Sequence, residues 1–583
     1  MTGPEEADPT ALPDAPVDPV PLRVDVPDGF WEHDASHFPH ASYPIDSIIP
    51  AVVADGMRSL VAEFGYLFDG IEFRDIGGWT YQRLRPIGDK DGPNLPPFVM
   101  WLLVRLVPVM RERITVAREA VQSDKAGRYI ERWQGEWLNE LATTIRDLQA
   151  VDRSSLTDAD LERHIDDVTD LATRGIEIHS LVHGSLAPIM FEFARTCEQL
   201  LGWDLAASLR LLGGTSFKST EPARRLHALT VMSAERPSVL DVSRLPEVEV
   251  VAGLERLDPS FAAAFTAYLE EYGHRALGDS AAEPTIAERP SLVVDMIRGQ
   301  IETGFSPDDI DATHKERRDA ALSEARQILA HGSEKLAEFE RVLERAKRAY
   351  PAREDNEFYT LSGPFALLRY VVVEMGNRLV ARGVISDRDD VLYLHLDEAR
   401  AALADRQDLR SLVSRRKGER TWAVLNPGPP SYGTPPDAPS SVSFLPRDAR
   451  LPMESMLWSL ESMLAITASH AKRSDSASIQ GTAASAGSYT GPVRIIRGER
   501  EFDRLRPGDV LVCPITSPVW SVLFPSIGAL VTDSGGILSH PAIIAREYRV
   551  PAVVATTNAT ALLRDGQRVT VDGSTGYVHV EGG

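Results

Sequence analysis

The stretch that most limits what this chain can become runs from Val531 to Tyr548: Val-Thr-Asp-Ser-Gly-Gly-Ile-Leu-Ser-His-Pro-Ala-Ile-Ile-Ala-Arg-Glu-Tyr. Gly528 to Thr532 is a short apolar run ending in a hydroxyl, so it reads as a buried strand. Gly535 and Gly536 break it, and adjacent glycines let a backbone approach a phosphate closely. Ser539-His540-Pro541 comes next, followed by residues of helical composition. Proline favours the first helical position, which puts His540 at the N-cap. An imidazole there feels the positive end of the helix dipole, which favours its neutral, nucleophilic form. Once phosphorylated, the same helix start would welcome the added negative charge. A glycine turn with a chance capping histidine is the plainer reading. Strand, turn, cap and helix agree along the whole stretch, however, and together they mark His540 as the carrier of a phosphoryl group.

Thr532 to His540, with Ala545-Arg-Glu-Tyr548 and Val550-Pro-Ala-Val-Val554, closely resembles the mobile phosphohistidine domain of the phosphoenolpyruvate (PEP)-utilising enzymes. That family includes phosphoenolpyruvate synthase, pyruvate phosphate dikinase, rifampin phosphotransferase and phenylphosphate synthase. The resemblance implies His540 as the catalytic residue. It implies Thr532, Ser534, Gly535, Gly536, Ser539 and Arg546 as support for the phosphate loop and the histidine.

At 583 residues the chain exceeds one core, and roughly three or four domains are expected. A net charge of −23 argues against nucleic acid or an anionic membrane as partner. With Cys197 and Cys513 alone, no disulfide framework is implied, and a cytoplasmic location fits. Met1 to Pro21 lacks the basic and long apolar regions of a signal peptide. The run Phe98 to Val104 is too short to span a bilayer.

The fold expected is multidomain: a largely α-helical central substrate-binding domain followed by a C-terminal α/β swivelling phosphohistidine domain. Residues 1–20 are rich in proline and acids and read as a disordered tail. An N-terminal α+β region covers 21–124, and within it Phe73 to Arg83 reads as a hairpin around Gly77-Gly78. His33, His37 and His40 are spaced for one helix face, but Gly29, Pro39 and Pro44 interrupt any helix, so they read as loop residues. The mainly helical domain covers 125–470. Thr157 caps a helix whose Leu161, Ile165, Val168, Leu171 and Ile176 form one buried face. His179 and His183, four apart after Glu177, read as core or substrate-pocket residues, and no metal site is expected. Gly213 to Thr220 is not a P-loop, because Phe217 stands where glycine must precede the lysine.

Ala320 to Tyr350 reads as one solvent-facing helix, Asp389 to Leu394 as a strand, and Asn426 to Pro436 as a loop. Tyr272-Gly-His-Arg275 and the block from Arg353 to Asp397 resemble the central domain of rifampin phosphotransferase. Asp279 and Pro284-Thr-Ile286 replace that family's acidic loop and Pro-Arg-Trp stretch, which implies a remodelled pocket. Glu354, Arg369 and Arg378 are candidates to line it. The small polar stretch Ser474 to Ser485 reads as a flexible linker over 471–486, with the phosphohistidine domain over 487–583.

In the synthase and dikinase a PEP-binding barrel of about 250 residues follows the histidine domain, whereas here the sequence given ends at Gly583. No ATP-grasp domain is recognisable ahead of the helical region. The resemblance then implies the histidine-bearing half of a split enzyme like phenylphosphate synthase. A separate ATP-grasp partner with ATP and Mg²⁺ would phosphorylate His540, releasing AMP and phosphate. The acceptor would be the hydroxyl of a phenolic or hydrophobic small molecule in the helical domain, with His183, His274 or Arg275 as pocket residues or general base. Three alternatives stand beside it: a self-contained ATP-dependent phosphotransferase, a ligase or dehydratase with a phosphorylated intermediate, and a vestigial non-enzymatic carrier.

Overall fold

The computed structural model describes residues 17–35, 37–88, 96–278, 280–435, 442–464, 478–516 and 518–581. Near the N-terminus, β1 (Trp31–His33), β2 (Gly70–Ile76) and β3 (Trp79–Arg85) build a sheet of order β2-β3-β1-β4. The expected hairpin is present as β2 and β3, and its turn places Gly77 and Gly78 at φ +66° and +86°. The fourth strand, β4 (Ser431–Tyr432), comes from the expected 426–436 loop and pairs with β1. The N-terminal region is therefore closed by residues distant in sequence. Of the tail read as disordered, 1–16 lie outside the described residues, while Val20 donates its N–H to the Gly418 carbonyl at 2.9 Å.

Helix α1 (Ile48–Phe64) packs along the spine of the molecule, α2 (Asp158–Leu201), whose 44 residues span about 66 Å. Thr157 caps α2 as its sequence predicts, accepting the Asp160 N–H, and Leu161, Ile165, Val168, Leu171 and Ile176 are all buried. Two glycines let other segments reach this helix. A Cβ on Gly175 would stand 2.5 Å from the Thr360 carbonyl oxygen, and one on Gly184 would stand 2.1 Å from Leu60 Cδ1. Around the spine lie α3 (Phe217–Ala234), α4 (Pro259–Tyr272), α5 (Pro290–Thr303), α6 (Ala352–Glu357) and α7 (Gly363–Ala381). A single π turn, Phe358–Ser362, joins α6 to α7 in one continuous run. Such turns re-aim side chains and recur at functional sites.

Three local expectations are corrected. Ala320–Tyr350 is two helices, Pro307–Ile328 and Ser333–Ala349, broken before Gly332 and buried along Phe339, Val342, Leu343 and Ala346. Residues 389–394 are not a strand but a 3-10 turn, Arg388–Tyr393, because Asp387 and Asp390 form a capping box that winds the backbone. The expected linker 471–486 is an ordered part of the last domain from Ser478 on, since β5 (Ser478–Gln480) and β6 (Thr482–Ser485) are strands of its sheet. Residues 465–477 lie outside the described residues.

The C-terminal sheet adds β7 (Ser488–Ile495), β8 (Val510–Cys513), β9 (Ala529–Thr532), β10 (Ala552–Val554), β11 (Arg568–Asp572) and β12 (Tyr577–Val580). Its order is β5-β12-β11-β7-β8-β9-β10-β6, with β7 to β10 parallel. One face shares a core with α3, α4 and α5: Phe265, Met296 and Ile297 join Leu511, Trp520, Phe524 and Tyr548 in one buried cluster. The domain is thus seated on the helical region by apolar contact. Because the spine tolerates no side chain at Gly175, Gly175→Ala is expected to destabilise the helical region by about 1–3 kcal/mol. Thermal unfolding should show an earlier transition, and an unchanged midpoint would refute the close approach.

Candidate active site

The parallel strand β9 is completely buried, and the chain leaves it at its carboxyl end, where open α/β sheets form their ligand crevices. Thr532 Oγ1 donates to the Ser534 carbonyl at 2.7 Å and starts the turn. Gly535 sits at φ +99°, a conformation that favours glycine. At Gly536 a Cβ would stand 2.2 Å from the Ser462 carbonyl oxygen, and the Gly536 N–H donates to the Met463 carbonyl at 2.7 Å. The second glycine therefore seats the loop on the end of α8 (Leu451–Leu464). Ser539 Oγ returns a hydrogen bond to the Gly536 carbonyl at 2.6 Å. Helix α9 (His540–Tyr548) follows, with Ser539 in extended conformation as its N-cap, so the expected cap position moves back by one residue. His540 opens the helix and Pro541 takes the second position, where its missing N–H costs no hydrogen bond. Arg546 Nη1 donates to the Ile537 and Ala484 carbonyls at 2.9 and 3.0 Å, holding the loop from behind.

The decisive contact crosses between domains. His540 Nδ1 lies 2.6 Å from Glu354 Oε2 on α6, and the Glu354 side chain is 3% exposed. Burial opposes ionisation of Glu354, but His540 and then Arg353 outweigh it and hold the carboxyl below its ordinary range. A carboxylate only accepts hydrogen bonds, so Nδ1 carries a proton, and in the neutral ring Nε2 keeps the lone pair. Nε2 is buried and has no hydrogen-bond partner among the described residues.

His540 borders a cavity of about 120 Å³ lined also by Lys218, Tyr272, Arg275, Asp355 and Tyr359. The Arg275 guanidinium stacks over Phe358 at 4.3 Å and Tyr272 at 5.7 Å and makes no ion pair among the described residues. Among the described residues Asp355 Oδ1 is buried without a hydrogen bond, and burial, then Glu354, pushes this carboxyl up to about 7. A larger cavity of about 510 Å³ lies between the N-terminal sheet and the C-terminal domain, and His540 does not line it.

Of the pocket residues expected from sequence, Arg275 reaches the cavity. His274 does not: its Nδ1 lies 2.8 Å from the Tyr370 hydroxyl. His183 lies behind the cavity wall with Nε2 3.5 Å from Glu357 Oε1. Arg369 and Arg378 are structural, the first in a two-pronged pair with Glu288 and the second bound to Glu374 and Asp158. Asp279 lies outside the described residues. The residues missed were Asp355 and Glu357, and the orienting role of Glu354. Their signal was three acids within four positions at the start of α6, a pattern that on most helices is a solvated face.

Residues 505–576 match the PEP-utilising enzyme, mobile domain, and residues 178–354 match the rifampicin phosphotransferase fourth domain. The C-terminal unit is thus a PEP-utilising enzyme mobile domain, and the resemblance to that family read from His540 and its surroundings is borne out. The chain is 33% identical to the uncharacterized phosphotransferase YvkC of Bacillus subtilis over 64% of its own length and 43% of that protein's. It is 33% identical to a rifampicin phosphotransferase from Streptomyces sp over 54% of its own length and 34% of that protein's. Chondramide synthase cmdD of Chondromyces crocatus is 28% identical over 94% of this chain and 14% of the synthase. The chain therefore spans less than half the length of these relatives.

One titration reports the seating of α9. Glu547 accepts the Gly214 N–H at 3.1 Å, and burial, partly offset by that bond, pushes its carboxyl up to about 8. A raised pKa stabilises the seated state fully below the ordinary 4.5, and the contribution is lost as pH rises to about 8. Asp355 adds the same sign up to about 7, so in the interval from about 7 to 8 Glu547 is the larger contributor of the two. Melting temperature is expected to fall across that interval and to flatten there in Glu547→Gln. An unaltered slope in the variant would count against the assignment.

Proposed function

We propose that this chain is the histidine-bearing part of a phosphotransferase. In this reading His540 takes a phosphoryl group from ATP on a separate ATP-grasp partner and passes it to the hydroxyl of a phenolic or other hydrophobic small molecule. ATP and Mg²⁺ would bind on the partner and supply the phosphoryl group, with AMP and phosphate released. The observation that carries the reading is the pairing of a buried carboxylate on Nδ1 with a free Nε2 at the cavity wall. The names of the relatives, phosphotransferase and rifampicin phosphotransferase, support the same chemistry.

In the transfer step the phosphorus–Nε2 bond breaks as the acceptor oxygen bonds to phosphorus, and the electron pair returns to Nε2. Glu354 holds the Nδ1 proton throughout, which stabilises the imidazole as leaving group. Arg275 makes no ion pair among the described residues, so it is placed to meet the phosphoryl oxygens. Asp355, with an unpartnered oxygen in the same cavity, receives the acceptor proton in place of the histidines expected from sequence. A cavity of about 120 Å³ is smaller than the about 150 Å³ that holds benzene, so it admits no more than a single ring. Tyr272, Phe358 and Tyr359 supply aromatic walls.

The test uses the chain with its partner and ATP labelled at the β-phosphorus. Acid-labile, base-stable label is expected on the chain and absent in His540→Ala. Asp355→Asn should still take label but deliver it to phenols about 10²–10⁴-fold more slowly. Label persisting in His540→Ala, or turnover stimulated only by pyruvate or a sugar, would overturn the proposal.

A further inference from the structure

Behind the wall of the His540 cavity, two histidines and a glutamate converge. His179 and His183 stand one turn apart on α2, with ring centroids 4.2 Å apart. Glu357, the last residue of α6, faces them and also lines the cavity with His540. One donor atom from each of His179, His183 and Glu357 lies within 4.8 Å of the others. His183 Nε2 and Glu357 Oε1 are 3.5 Å apart, too long for a good hydrogen bond. It is close to the edge of a tetrahedral site, about 3.3 Å when each metal–ligand distance is about 2.0–2.1 Å.

The surroundings prepare the ligands. Asn356 donates through Nδ2 to the Ala352 and Arg353 carbonyls at 2.6 and 2.7 Å, which fixes its Oδ1 as an acceptor. That oxygen lies 2.8 Å from His179 Nδ1, so Nδ1 carries the proton and Nε2 keeps its lone pair toward the cluster. A reading of the pair as core histidines leaves the convergence unexplained: two rings and a half-buried carboxyl group are gathered there, and the only amide contact to His183 Nε2 among the described residues is a long one, Asn356 Nδ2 at 3.4 Å.

We propose that His179, His183 and Glu357 bind a first-row divalent cation of the zinc or manganese class. Two nitrogens and one oxygen suit these metals rather than calcium or magnesium, and three protein ligands leave a coordination position open. Glu357 borders the same cavity as His540, so a cation held by the three residues would lie at that cavity's wall. A role as a clamp on a phosphoryl group there rests on the phosphoryl-transfer reading above. The binding itself does not.

The full chain, stripped with chelator, is to be titrated with Co²⁺ and with Zn²⁺, with bound metal counted by mass spectrometry. One equivalent is expected, with visible cobalt absorption of a four- or five-coordinate site. His183→Ala, His179→Ala and the milder Glu357→Gln should each weaken binding at least tenfold while retaining the circular dichroism of the parent. His540→Ala should bind as the parent does, which separates this site from the fate of the phosphoryl-transfer reading. Absence of a stoichiometric cobalt site, or binding unchanged in folded His179→Ala and Glu357→Gln, would overturn the proposal.

Discussion

Everything the site can do depends on one hydrogen bond between domains, from His540 Nδ1 to Glu354. It fixes the tautomer, turns Nε2 toward the cavity, and keeps a fully buried carboxylate paired. An unpartnered buried charge typically costs about 3–5 kcal/mol. Seating the last domain and orienting its histidine are consequently a single event. The loop around Gly535 and Gly536 serves that event from the other side. Its backbone is pressed onto the end of α8, so the turn that sequence suggests for cradling a phosphate is used to set the start of α9.

Much of the rest of the contact between the domains is apolar. Trp520, Phe524 and Tyr548 enter the core formed by α3, α4 and α5, and Phe305 meets Tyr548 at a ring separation of 6.0 Å. Such a surface holds firmly without directional bonds. A carrier that leaves it for a second site must expose it, unless another surface covers it there. Glu547 adds a polar element to the same contact through Gly214, and His314 lies 2.9 Å from its carbonyl oxygen.

How much of this could be read in the sequence varies with distance along the chain. The strand, double glycine and helix around His540 were legible because they are local, as was the capped spine from Thr157. The error of one residue at the N-cap arose because Pro541 is tolerated at either of the first two helical positions. The strand read at Asp389–Leu394 failed because a capping box competes with extended backbone. What lay beyond reading was the partner of each polar group. His274 and His183 looked alike in sequence, yet one lies beside Tyr370 and the other faces Glu357. Glu354 gave only the signal of a charged helix residue, because the histidine that gives it meaning lies 186 positions away.

The central claim is that Glu354 decides which ring nitrogen acts, and it can be measured on the phosphorylated chain. With ¹⁵N-labelled histidine, phosphorus–nitrogen coupling identifies the bonded nitrogen and the proton shifts report the other. The account predicts a phosphoryl group on Nε2 and a proton on Nδ1 of His540. A phosphoryl group on Nδ1 would contradict it.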